Sequence, residues 1–153
     1  MNNKLIVKVI AGLAGLGLLV GVVFVIYFSG NRILQNMILL SYQEKNCQNV
    51  ASFSEIFNRV YPEDTGITSL VRECNDYSAA IDYKENGEWQ NAYVAFKNYP
   101  DAYPTGVFVN ESYEESAHSL VRLANEQYQN RQYDEAVKNL QIATTVYGFT
   151  TNS

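Results

Sequence analysis

With 153 residues, a net charge of −5 and twelve tyrosines, the chain has room for one ordinary domain and lacks the surplus of positive charge that holds a nucleic acid. It has two cysteines and one histidine, and its glycines outside the first thirty residues stand singly. That leaves no paired metal-ligand spacing, no nucleophile turn of the GxSxG kind and no phosphate-cradling loop, so an enzyme, a metal site or a cofactor is not expected.

The first predicted element is the apolar run from Leu5 to Phe28, interrupted only by Lys8. At ~1.5 Å per residue a helix of this length reaches ~36 Å, enough to cross a hydrocarbon core of ~30 Å with some tilt. A cleaved signal peptide is the competing reading. The run exceeds the usual ~7 to 15 residue signal core, and Ile26-Tyr27-Phe28 puts bulky side chains where cleavage needs small ones, so an uncleaved anchor is favoured. Residues 1–4 with Lys4 and Lys8, against Arg32 alone after the run, orient the amino terminus to the cytoplasm and the remainder to the extracytoplasmic side. Gly17 and Gly21 form a GxxxG spacing that suits close packing with another membrane helix, a route to a homo-oligomer or to contact with another subunit.

All sixteen acidic residues follow this run, against nine Lys and Arg, so the remainder carries about minus seven and is repelled by phosphate backbones and anionic lipid. Pro62, Pro100 and Pro104 stand where helical patterns stop, and the expected fold is all-α. Within it, residues 29–66 read as a membrane-proximal helical pair, with helices over about 32–46 and 53–61, and residues 67–153 as the main helical domain. Ser52-x-x-Glu55 and Ser112-x-x-Glu115 have the form of capping boxes. Val107-Phe108-Val109 is expected to pack over helix ends in preference to serving as a docking edge.

Two segments repeat each other. In both, a helix gives way to a turn at Asn86 or Asn130, an aromatic follows at Trp89 or Tyr133, then Ala92 or Ala136, then Phe96 or Leu140. This pattern resembles the tetratricopeptide repeat over about residues 70–147. In that register Ala80, Ala92, Ala124 and Ala136 let helices approach, while Phe96 and Leu140 fill the core. The spacing between the two segments is 44 residues, longer than the family's ~34, with an insert near 100–111. The resemblance implies an array of helical hairpins whose first helices line a concave groove. The groove-facing positions would be Tyr77, Ile81 and Lys84 in one unit and His118, Val121, Asn125 and Tyr128 in the next, with the neighbouring Arg122 as an anchor for a protein or peptide partner. Each apolar member has an alternative role in packing between helices. Arg122 and Asn125 coincide with two positions of the family's carboxylate-gripping subset, but Ser78 and His118 depart from it, and a looser peptide groove is expected.

The same register sets Cys47 near the end of one helix and Cys74 early in the next unit's first helix. Their α carbons would then lie beyond the ~7 Å reach of a disulfide, in tension with an oxidising outer compartment. No polar capping helix follows the last predicted helix, so a partner is expected to cover it. The function expected is that of a membrane-anchored scaffold or adaptor. The alternative is a small integral subunit of a larger complex whose main contacts lie in the membrane.

Overall fold

The computed structural model describes residues 29–62 and 67–148, and these are all-helical. Helix α1 covers residues 29–43, followed by α2 (Cys47–Val60), α3 (Thr68–Glu85), α4 (Trp89–Ala102), α5 (Val109–Gln129) and α6 (Tyr133–Tyr147). No helix among the described residues is long and apolar enough to cross a membrane. The apolar run 5–28, with Gly17 and Gly21, lies outside the described residues.

The six helices form three hairpins closed by the same turn. Lys45, Gly87 and Arg131 adopt positive φ values of 59°, 75° and 62°, at intervals of 42 and 44 residues. At each turn the left-handed residue donates its N–H three residues back, to Tyr42, Lys84 or Tyr128, and the next N–H reaches five residues back, to Ser41, Tyr83 or Gln127. This Schellman arrangement satisfies carbonyls that the helix end leaves bare. Three short turns of one geometry make three antiparallel hairpins, and consecutive helices from α2 to α6 pack on one another in chain order.

Ala80, Ala92, Ala124 and Ala136, the small residues of the repeated pattern, are all buried, and Phe96 is fully enclosed in a cluster with Ala80 and Ala92. Leu140, expected to fill the core as Phe96 does, is instead exposed, because no helix follows α6 among the described residues to cover it.

The first hairpin departs further from expectation. Its second helix begins at Cys47, six residues before the expected start, since Asn46 is the N-cap and its side chain accepts the Asn49 N–H at 3.0 Å. Ser52 is therefore mid-helix, its hydroxyl donating to the Gln48 carbonyl, and does not cap. Likewise α5 begins at Val109, so Ser112 is a fully buried helical residue bonded back to the Val109 carbonyl. Pro62 and Pro104 do follow helix ends, but Pro100 sits in the last turn of α4, which runs two residues past it.

Moving Cys47 to the start of α2 brings it against α3. Cys47 and Cys74 are joined in a disulfide with a Cα–Cα distance of 5.2 Å, contrary to the separation expected from the repeat register. The main core then runs through the first two hairpins and into the segment before α5: Ile38, Tyr42, Val50, Phe57, Cys74, Tyr99 and Phe108 form one cluster. At its centre the buried Glu73 carboxylate accepts hydrogen bonds from Tyr42 Oη at 2.6 Å, from Tyr99 Oη and from the Val107 N–H at 3.2 Å. These donors provide the polar company a buried carboxylate requires. Gly106 is obligatory beside it, because a Cβ there would collide with the carboxylate. Phe108 stacks on Tyr77 with ring centroids 4.0 Å apart, so the 107–109 segment packs as expected.

Candidate functional site

Helices α3 and α5 are the first helices of the second and third hairpins, and between them, beside the start of α4, lies a groove of about 490 Å³. Its walls carry Lys84 from α3, Trp89 from the first turn of α4, and Glu115, Ser119, Arg122 and Asn125 among others from α5. Glu115, Ser119, Arg122 and Asn125 recur at three- and four-residue spacing and so share one face of α5. The turn at Gly87 swings Trp89 to the head of α4, where its ring faces that side of α5.

The groove has an internal electrostatic order. Lys84 Nζ donates to Glu115 Oε1 at 2.7 Å, and both groups are partly shielded from water. The other oxygen of the same carboxylate, Oε2, lies 3.9 Å from His118 Nδ1, a contact that becomes an ion pair when the imidazole is protonated. The Arg122 guanidinium sits 5.9 Å above the centre of the Trp89 ring, a cation–π contact that fixes the side chain while leaving its N–H edges available. Ser119 is 1% exposed and its hydroxyl has no hydrogen-bond partner, whereas Ser112 and Ser116 on the same helix bond back to the backbone.

Of the residues expected to line a groove, Lys84, His118, Val121, Arg122 and Asn125 meet in this one. The other three lie elsewhere. Tyr77 is half-buried, stacked on Phe108 and edge-on to Phe96 and Tyr99. Burial, then the charges of Glu115 and Glu111, push its phenol up to about 12. Ile81 packs on the Ala80, Ala92 and Phe96 cluster. Tyr128 is 65% exposed at the end of α5 and meets Tyr133 edge to face, outside the groove. The repeat pattern did not mark Glu115, Ser119 or Trp89 as groove residues. Glu115 has the look of a cap in sequence, and Trp89 that of a packing aromatic. Their i, i+4, i+7 relation to Arg122 and the turn geometry are the signals that would have found them.

No group of three or more His, Cys, Asp and Glu side chains among the described residues is arranged to hold a metal. The groove presents a flat aromatic ring, a guanidinium, an amide, a hydroxyl and an ion pair, a set suited to hydrogen bonding and stacking against another molecule's side chains.

The chain is thus an array of helical hairpins with a polar, aromatic-floored groove between first helices. No protein family, curated protein or solved structure compared with the chain matches it. The likeness to tetratricopeptide repeats accordingly rests on the residues that carry it.

Proposed function

We propose that the chain is a membrane-anchored scaffold of tetratricopeptide-like hairpins that holds a protein partner in the α3–α5 groove, on the extracytoplasmic side. The observation that carries this reading is the convergence of Lys84, His118, Val121, Arg122 and Asn125 on one groove. The apolar run 5–28 supports the anchor by its length. The Cys47–Cys74 disulfide supports the outer location, since such bonds persist in oxidising compartments and are rare in the cytosol. The acidic balance of the domain supports a protein partner over a nucleic acid.

The test is cross-linking of the full chain in native membranes, followed by purification and identification of what travels with it. Arg122→Ala and Asn125→Ala should each weaken that capture by ~1 kcal/mol or more with helicity unchanged, because desolvated Arg and amide groups in a groove carry binding energy. Full retention of the partner by both variants, together with its loss on Gly17→Leu and Gly21→Leu, would overturn the groove and favour the integral subunit held by its membrane segment.

A further inference from the structure

The first hairpin exposes a set of apolar side chains on one side, flanked on α2 by the exposed Glu55–Arg59 ion pair. On α1, Ile33, Met37 and Leu40, and on α2, Ile56 and Val60, are between 38% and 58% exposed, while Leu39, 42% exposed, lies on the other flank of α1. With roughly 100° of turn per residue, Ile33, Met37 and Leu40 fall on one flank of Ile38, the α1 residue that points into the core. By the same count, Ile56 and Val60 fall on one flank of Phe57, the buried residue of α2. The two helices are antiparallel, as the approach of Gly30 to Tyr61 at their far ends requires, so the two sets share one side of the hairpin. The opposite flanks carry Tyr42, bonded to Glu73, and Cys47, bonded to Cys74, and thus face α3. The exposed set therefore covers the end of the array, where a preceding hairpin would otherwise sit.

Three further features say what fits there. Ile33, Met37 and Leu40 are spaced four and three apart, the heptad spacing of a helix-pairing seam. Residues 33–43 contain no charged side chain, so α1 after Arg32 is a neutral strip on a strongly acidic domain, and a second copy meets less like-charge repulsion there than on its acidic faces. Finally, α1 starts at residue 29, directly after the apolar run that ends at Phe28. Two copies anchored in one bilayer would raise their first helices side by side, in the same direction.

We infer that the outer face of the α1–α2 hairpin is a self-association surface, on which two membrane-anchored copies pair symmetrically with their α1 helices parallel. This rests on the anchor in the functional reading above but not on the partner groove, which faces away between α3 and α5. The seam spans only two turns and is too small to hold a dimer from dilute solution; a shared membrane raises the effective concentration to the level at which so small a contact suffices.

In a symmetric parallel pair a residue on the seam meets its own counterpart. The full chain carrying Met37→Cys, reconstituted in phosphatidylcholine vesicles and mildly oxidised, should form about tenfold more covalent dimer than Gln141→Cys on the exposed side of α6, because only the former is held at high effective concentration. Adding Ile33→Glu and Leu40→Glu to Met37→Cys should lower its cross-linking in the same vesicles to the Gln141→Cys level. Its helicity and melting should be unchanged, since both side chains already face solvent. Equal cross-linking at positions 37 and 141, or cross-linking at 37 that survives the two added glutamates, would each overturn the inference. Fractionation separates it from the anchor: a chain that leaves the membrane on carbonate washing yet still cross-links at 37 refutes the anchor alone. One that stays in the membrane without cross-linking refutes the paired α1 helices alone, and one that does neither refutes both.

Discussion

Opening the Cys47–Cys74 bond should cost the extramembrane domain about 3.5 kcal/mol. The two residues are 27 apart in sequence. The chain-entropy relation for a loop of that size gives about 12 cal/mol/K removed from the unfolded ensemble, which is the quoted free energy near 25 °C. The bond ties α2 to α3, and Cys74 is almost fully enclosed, so reductant reaches it through local opening. In urea, where the slope for small proteins is about 1 to 3 kcal/mol/M, the loss should move the unfolding midpoint of the detergent-solubilised chain down by more than about 1 M after reduction and alkylation. Cys47→Ala combined with Cys74→Ala should behave like the reduced chain, with a small further loss for the missing sulfur contacts. Thiol alkylation of protein taken directly from cells, before any reductant, checks the bond itself by mass. If both thiols react at once, or if reduction leaves the urea midpoint unmoved, then neither the staple nor the oxidising location argued from it stands.

Ala92→Leu or Ala136→Leu, placing bulk where helices touch, should each destabilise the domain by about 1 to 3 kcal/mol in the same urea assay, because both sites are closed. Arg131→Gly should stabilise it by about 0.5 to 1 kcal/mol, since a side chain at φ 62° is strained and the matching position of the middle hairpin is already Gly87; a loss of stability would refute the equivalence of the turns. At high pH the domain should lose stability, because burial and the Glu73 carboxylate push Tyr42 up to about 12, burial pushes Tyr77 to about 12, and Tyr99 and Tyr103 are raised as well. A raised folded-state value means the stabilisation is complete below about pH 10, the ordinary phenol value, and fades as pH climbs toward and through the raised values. Tyrosinate absorbance and helicity followed together should therefore change in concert above pH 10, and free titration of all the phenols in a folded domain would refute the buried hub. At low pH the sign reverses for Glu111, held below the usual carboxylate range by its bond from Lys45. Its contribution is present above the ordinary carboxylate value and is lost as acid passes the lowered one, a fall that Lys45→Ala should abolish in acid melts.

Wherever the determinants were local, the sequence alone determined the architecture. Asn86 and Asn130 end helices because the left-handed residue after each closes the helix with its own backbone bonds. Ala92 and Ala136 sit at close crossings because only a small side chain fits one turn past the head of a second helix. From the same short spacings came five residues of the groove. What tertiary structure alone decided depends on partners far apart in the chain. The Cys47–Cys74 disulfide joins residues 27 apart in sequence, and the packing of α2 on α3 is what brings them together. Glu73 collects donors 31, 26 and 34 residues away, and no periodicity announces such a hub. Tyr77 could equally have faced the groove or Phe108, two choices with the same helical register, and it stacks on the buried Phe108, which half-covers its ring. Helical spacing fixes which side chains share a face; which of those faces is covered is set by the neighbours that the folded chain brings to it.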